Sequence, residues 1–387
     1  MFTSFKYRIY PNPSQAIKLA KHFGSCRWLY NKALAMKTLA WTERKEDLSR
    51  FDISAHLPAW KKAEETEWLK EVNSQSLQSA LVNLDAAYVR FFREKKGFPK
   101  FKSKHCRQSF QVPQHGKVGD SFVQIPKVGK IKAVIHRKYV GSIKTITISR
   151  TTTGKFFASV LCDDGYDAPM KLPITDDSTI GIDLGLKSFA VLSSGERIAN
   201  PQFLKKSSKA IIRRSRVLSR RKKGGKNYNK ARHKLAVTYE KISNQRKDFL
   251  HKTTTRLVRD NQTNAFAIED LAVANMVRNR RLAHSISDVG WGEFRRQLEY
   301  KAQKSGKTVL VIGRFEPSSK TCSCGKVNHE LTLSDRVWSC ICGASHDRDL
   351  LAANNIKQFA LHPRNKSIAG DTGEFTPMEI VVRRSLK

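Results

Sequence analysis

Three acids stand where acids are costly. Asp183 closes the apolar run Thr179-Ile-Gly-Ile-Asp183, Glu269 closes Ala265-Phe-Ala-Ile-Glu269, and Asp349 follows His346-Asp-Arg at the start of a helical pattern. A carboxylate at the end of a core strand loses solvation, so it persists there only with a counter-ion, a metal or strong hydrogen bonds. Brought together, three such groups would repel one another, and a divalent cation is the natural compensation. Two Mg²⁺ ions held by carboxylates can activate a water and stabilise the leaving oxygen of a phosphodiester, which is nuclease chemistry. A first-turn position also keeps Asp349 ionised through the helix dipole. Spacing alone does not show that the three meet. Asp183 could equally cap a tight turn, and Asp270 and Asp347 stand as alternative ligands, with exposed capping as their competing role.

A second set of ligands is formed by thiols. Cys322-Ser-Cys324-Gly and Cys340-Ile-Cys342-Gly are separated by 15 residues, whereas Cys26, Cys106 and Cys162 stand alone. Four thiolates in two glycine-bounded knuckles suit a structural, tetrahedral Zn²⁺, and such a small module depends on its metal for stability. The usual ribbon spacing is Cys-x-x-Cys, and both pairs are one residue short. His329 and His346 are therefore open as substitutes for a cysteine.

The elements that must position these groups are legible in part. Phe2 to Tyr10 alternates like a strand. Asn12-Pro13 then opens a helix carrying Ala16, Leu19, Ala20 and Phe23, expected to kink or break near Gly24. Leu77, Ala80, Leu81, Leu84, Tyr88, Phe91 and Phe92 form one helical face, with Gly97 and Pro99 as the expected stop. Between residues 108 and 162, short alternating runs such as Phe122–Ile125 and Ile143–Ile148 predict a small antiparallel barrel joined by the first strand, with the helical unit inserted into it. A linker is expected over Asp167–Asp177. Residues 179–192 read as two adjacent strands joined by a tight turn, and further on a helix is expected over Gly292–Lys304 and a strand over Thr308–Ile312.

Charge limits the partners. The chain has 387 residues with 72 Lys plus Arg against 34 Asp plus Glu, a net +38, and nucleic acid is the polyanion that most readily compensates such an excess. Residues 205–256 hold 19 Lys or Arg against Glu240 and Asp248 alone. Within them, Leu235, Tyr239, Ile242, Phe249 and Leu257 keep a helical register and Lys223-Gly-Gly-Lys226 interrupts it, predicting a basic helical hairpin with an apolar seam. Phe98-Pro-Lys-Phe-Lys-Ser-Lys104 interleaves cations with aromatics, a combination suited to phosphates and stacked bases. No apolar run approaches the ~20 residues of a membrane helix, and no signal-peptide core follows Met1, so a cytoplasmic location without membrane contact is expected.

The ordered motifs Tyr10-Pro-Asn-Pro-Ser-Gln15, Cys26-Arg-Trp-Leu-Tyr-Asn31, Gly97-Phe-Pro-Lys-Phe101, Gly181-Ile-Asp-Leu-Gly185, Arg280-Arg-Leu-Ala283, Gly290-Trp-Gly292, Ser318-Ser-Lys-Thr-Cys322 and His346-Asp-Arg-Asp349 resemble the TnpB family. These are transposon-encoded RNA-guided DNA endonucleases related to type V CRISPR effectors. The resemblance implies a multidomain α/β chain. Residues 1–11 and 101–172 would form a wedge-like β-barrel, and 12–100 a helical recognition unit. An RNase H-like RuvC nuclease domain would span 173–313 and 345–361, a zinc-ribbon-like insertion 314–344, and a disordered tail 362–387.

It further implies Asp183, Glu269 and Asp349 as catalytic, Mg²⁺-binding acids, and Cys322, Cys324, Cys340 and Cys342 as Zn²⁺ ligands. A guide RNA from the transposon end and double-stranded target DNA would be the partners, with guide pairing reading most of the target. Arg50, Ser54, Ser74 and Gln78 lie where family members contact the short target-adjacent motif. Leu351 departs from the family, which commonly has Asn there. The implied function is Mg²⁺-dependent, RNA-guided cutting of DNA beside that motif. The alternatives are a nuclease-inactive RNA-guided repressor, against which the three retained acids argue, and a transposase acting without RNA.

Overall fold

A computed structural model describes residues 1–105, 107–260, 262–332 and 334–362. Cys106 and the tail from 363 onward lie outside the described residues. The chain divides into two compact units, one of residues 1–168 with 207–244, the other of 169–206 with the described residues from 245 on.

In the first unit β1 (Phe2–Tyr10) alternates as its sequence predicts, burying Phe5, Tyr7 and Ile9. Then follow α1 (Pro13–Arg44), α2 (Arg50–Ala55), α3 (Leu57–Lys62), a 3₁₀ segment Glu64–Glu71 and α4 (Ser74–Glu94). Asn12 and Gln15 form a capping box at the start of α1, with Pro13 in its first turn. The expected break near Gly24 does not occur. A mid-helix glycine costs about 1 kcal/mol, and burial of Leu19, Phe23, Cys26 and Leu29 around it outweighs that. Nor do Gly97 and Pro99 end α4: Lys95 does so two residues earlier, in the left-handed conformation (φ 51°) with its N–H on the Arg90 carbonyl.

Strands β2 (Gln108–Val112), β3 (Lys117–Val118), β4 (Phe122–Ile125), β5 (Gly129–Val134), β6 (Ser142–Arg150) and β7 (Phe156–Asp163) join β1 in a seven-stranded antiparallel sheet of order β2-β6-β7-β1-β5-β4-β3. Its outer strands β2 and β3 are neighbours in sequence, so the sheet curls back on itself. Among the described residues no ladder joins those two edges, so the curl stops short of a hydrogen-bonded barrel. Buried His22 ties α1 to the start of α4: its Nδ1 lies 2.8 Å from the Lys18 carbonyl, and its Nε2 accepts the Asn73 N–H at 3.1 Å.

The second unit holds β8 (Thr179–Leu184), β9 (Ser188–Leu192) and β10 (Arg197–Ala199), successive antiparallel neighbours. The basic stretch forms α5 (Phe203–Ser219) and α6 (Lys226–Arg259), of which residues 207–244 belong to the first unit. Its seam is narrower than expected: Ile242, Leu250 and Leu257 are buried, but Tyr239 is 48% exposed. Next come β11 (Ala265–Glu269), α7 (Val273–Met276), α8 (Ala283–Val289), α9 (Trp291–Lys304) and β12 (Thr308–Ile312). The small strands β13 (Val337–Ser339) and β14 (Ser345–Asp347) lead into α10 (Arg348–Leu361).

β11 runs parallel to both β8 and β12, so the five-stranded order is β10-β9-β8-β11-β12, or 3-2-1-4-5 within the unit. Because β11 is buried between β8 and β12, and β12 is largely half-buried at the edge, Val-, Ile- and Ala-rich runs suffice for them. α10 crosses β8 at Gly181, where a Cβ would stand 1.9 Å from the Ala353 carbonyl oxygen. Only glycine admits that crossing, and the crossing brings the first turn of α10 to the acid-bearing strands.

Candidate active site and thiol cluster

Asp183 lies on the last turnward residues of β8, Glu269 ends the adjacent parallel strand β11, and Asp349 lies in the first turn of α10. Parallel strands end on the same side, so an acid closing each falls on one rim of the sheet. Glu269 and Asp349 are both electrostatic neighbours of Asp183. Burial first, then the charges of Glu269 and Asp349, push the Asp183 carboxyl up to about 7, with Arg348 opposing. Burial also raises Glu269, although the Ser318 hydroxyl donates a hydrogen bond to its Oε1 and favours the ionised form.

The three carboxylates are near one another but not drawn into one cluster. Among the described residues, the only three or more metal-capable side chains whose ligand atoms all lie within 4.8 Å are the four thiols. Two guanidiniums supply positive charge to Asp349: Arg197 from β10 at 3.5 Å and Arg336 at 3.4 Å. Arg197 also holds Asp347 at 2.7 Å, while Asp347 caps α10 by accepting the Leu350 N–H. Asp270 is paired with Arg295 and Arg314 at 3.0 and 2.6 Å. Both alternative acids are therefore occupied, Asp347 as the cap of α10 and Asp270 in ion pairs.

Ser318 entered the sequence reading only within the motif Ser318-Ser-Lys-Thr-Cys322, with no role of its own. It is buried, its hydroxyl meets Glu269, and its carbonyl is held at 2.6 Å by Asn355 of α10, which takes the Thr321 carbonyl at the same distance. A short loop is thus tied to α10 at one end and steadies Glu269 at the other. The available signal was Pro317-Ser-Ser-Lys320 directly before the first knuckle, a turn sequence with a free hydroxyl.

The knuckles repeat one backbone arrangement. The Cys322 N–H donates to the Lys326 carbonyl and the Gly325 N–H to the Cys322 carbonyl, and the Cys340 and Gly343 N–H groups do the same at the second knuckle, each time at 2.8 and 2.9 Å. Gly325 and Gly343 adopt φ 86° and 88°, open to glycine at no steric cost. One-residue-short pairs therefore still aim their thiols inward. Cys322 and Cys342 sulfurs are 3.6 Å apart and Cys324 and Cys340 sulfurs 3.7 Å, against about 3.8 Å for the edge of a tetrahedron with Zn–S bonds of about 2.3 Å. The donor set fits zinc.

His346 Nε2 lies 3.0 Å from the Cys322 sulfur, with its ring against Trp338. His329 is exposed and outside the thiol group. The Cys324 backbone N–H first, with His346 assisting, pulls Cys322 down to about 5. Leu351 has a packing role, closing a small core with Cys322, Leu331 and Trp338.

Arg50 and Ser54 lie on α2, and Ser74 and Gln78 lie one turn apart at the start of α4. Arg50 covers the Phe51 ring and stands 3.9 Å from Asp85, and Ser74 accepts a hydrogen bond from Lys61. Among the described residues no helix is long and apolar enough to cross a membrane.

Family models match at residues 169–280, described as "Probable transposase" of the OrfB/IS605 type, at 291–356, described as "Cas12f1-like, TNB domain", and at 1–46, described as "Helix-turn-helix domain". The last span here is β1 followed by one unbroken helix. A Streptomyces pristinaespiralis protein named "Putative RNA-guided DNA endonuclease" is 40% identical, covering 91% of this chain and 88% of its own. InsQ of Escherichia coli K12, similarly named, is 32% identical over 91% of each. The solved structure of a Cas12f1 complex with guide RNA and target DNA shares the fold at a TM-score of 0.56 and 15% identity, over 89% of this chain and 82% of that one. The chain belongs to the TnpB-like OrfB family of RNA-guided nucleases.

Proposed function

We propose that this protein is an RNA-guided, Mg²⁺-dependent DNA endonuclease that cuts beside a short target-adjacent motif. The observation that supports the reading is that buried Asp183 feels the charges of both Glu269 and Asp349, in a chain of net charge +38. The 3-2-1-4-5 sheet, with acids on strands 1 and 4 and on the helix crossing strand 1, supports reading the second unit as an RNase H-like RuvC nuclease domain.

Hard carboxylate oxygens fit Mg²⁺, and the raised Asp183 marks negative charge that a dication would relieve. When bound, two such ions would polarise the scissile phosphate and lower the pKa of the attacking water. Asp183, Glu269 and Asp349 would hold them. Ser318 orients Glu269, while Arg197 fastens the Asp347 cap beside Asp349. The four cysteines would hold a structural Zn²⁺ and keep β13 and β14 in place at the entrance to α10.

The curled sheet acts as the wedge and α1–α4 as the recognition unit, with Arg50, Ser54, Ser74 and Gln78 reading the adjacent motif and the cations of α5 and α6 gripping phosphates. The guide comes from the transposon end. The test is to purify the protein, sequence the RNA that accompanies it, and add plasmid matched to that RNA with Mg²⁺. Linearised plasmid is expected. Bound RNA with specific binding but uncut plasmid would instead mark a repressor.

A further inference from the structure

The aromatic and basic stretch around the end of α4 has no part in the nuclease site. Four rings meet there. Tyr88 and Phe92 stack with centroids 6.3 Å apart, Phe91 meets Phe92 edge-on at 5.0 Å, and Phe98 stands edge-on to Tyr88 and Phe91 at 5.6 and 5.3 Å. The left-handed turn at Lys95 folds the chain back and brings Phe98 against the helix. Asn31 fixes the continuation, gripping the Lys102 carbonyl and N–H at 2.9 and 2.8 Å. The cluster is thus built rather than loose, yet Phe92 remains 72% exposed, Phe98 47% and neighbouring Phe101 63%.

Exposed phenyl rings lose the free energy that burial would give them, so a covered state is favoured. Charge indicates what covers them. Residues 90–104 carry Arg90, Arg93, Lys95, Lys96, Lys100, Lys102 and Lys104 against Glu94 alone. Among the described residues no carboxylate pairs with Arg93, Lys95, Lys96 or Lys100. A second copy of this chain would bring like charges together, which repel. An unpaired nucleic-acid strand offers what the surface lacks, flat bases for the rings and phosphates for the cations.

We propose that Phe92, backed by Tyr88, Phe91 and Phe98, is a stacking platform for unpaired bases of a single-stranded RNA whose phosphates meet the cations of residues 90–104. The proposal rests on the RNA-guided reading and deepens it by naming where a single-stranded part of the guide is held. Stacking uses the face of the base, so the site should tolerate any base and should persist at salt concentrations that weaken the phosphate contacts.

The test is binding without cleavage, using the Asp183→Ala chain freed of nucleic acid. Its affinity for a single-stranded RNA and for an abasic ribose-phosphate strand of equal length is measured at about 0.5 M salt, with Phe92 intact, as Phe92→Ala and as Phe92→Trp. Phe92→Ala should weaken the RNA by roughly five- to 150-fold and leave the abasic strand unchanged, and Phe92→Trp should keep the RNA affinity. Because Phe92 is exposed, its melting temperature should match the parent. Unchanged RNA affinity in Phe92→Ala, an equal loss on the abasic strand, or a change in oligomeric state instead would overturn the platform. None of these outcomes bears on cleavage, which the matched-plasmid assay judges separately.

Discussion

The Ser318 hydroxyl donates a hydrogen bond to the Glu269 carboxylate, and Asn355 holds the loop from which it does so. The contact matters because Glu269 is raised by burial and Ser318 is the group that counters it. A residue that orients a metal-ligating carboxylate typically contributes 10–100-fold in metal affinity or activity. Ser318→Ala should therefore raise the Mg²⁺ concentration for half-maximal cleavage by roughly that factor, while Ser318→Thr, which keeps the hydroxyl, restores most of it. A Mg²⁺ titration of the three proteins on one substrate checks this, and an unchanged midpoint in Ser318→Ala would remove the residue from the site.

Asp183 gives a pH prediction. Its carboxyl is raised from 3.8 to about 7 in the folded chain, so the folded state binds a proton that the unfolded state releases at lower pH. Stability is therefore full below the unfolded value, falls as pH rises from about 4 to 7 and stays reduced above that. Asp183→Asn should melt higher than the parent at pH 8 without divalent ions. The difference should shrink as pH is lowered and vanish near pH 4. Melting scans in a chelating buffer read it directly, and adding Mg²⁺ should narrow the gap by stabilising only the parent.

His22 works in the opposite direction. Its pKa is lowered by burial, so below the ordinary value near 6.5 the unfolded chain takes up a proton that the folded chain resists. Stability is full above that pH and declines as pH falls towards the folded value. Denaturant midpoints between pH 7.5 and 5 should fall in the parent, with a smaller drop in His22→Gln.

The thiol cluster should control the acid site through chain geometry. Val337 pairs with Asp347 across β13 and β14, and Arg336, which reaches Asp349, directly precedes β13. Cys340→Ser should lower bound zinc from about one equivalent per chain to well below it and reduce cleavage even though Asp183, Glu269 and Asp349 are all present. Metal analysis beside the cleavage assay separates the two effects. Full zinc with lost cleavage would contradict the link.

Gly181 tests the placement of α10. A Cβ there would collide with the Ala353 carbonyl, so Gly181→Ala must push the helix off β8, at a cost of about 1–3 kcal/mol or more. Both a lower melting temperature and a cleavage loss beyond that explained by unfolding are expected, because Asp349 moves with α10.

The acids and thiols were legible because each broke a local rule. Asp183 and Glu269 end apolar strands where a carboxylate is expensive, and four cysteines recur in two matching glycine-bounded pairs. Ser318, Arg197 and Arg336 were not, since a turn serine signals a turn but not its partner, two arginines among 72 basic residues carry no local signal, and only long-range folding sets them beside Glu269 and Asp349. The continuity of α1 through Gly24 was hidden for the same reason: tertiary burial overrode a local propensity. The stop at Lys95 escaped because a lysine adopted the left-handed turn that glycine usually takes. The antiparallel strands were visible in their alternation, but whether their sheet closes depends on pairing between its far edges, which alternation does not encode.

The most direct measurement compares the parent with Asp183→Ala on a plasmid matched to the bound RNA. The variant is expected to retain RNA and bind the target with the parent's affinity while its cleavage falls below detection. Cleavage at the parent's rate by Asp183→Ala would show that the phosphodiester is cut elsewhere.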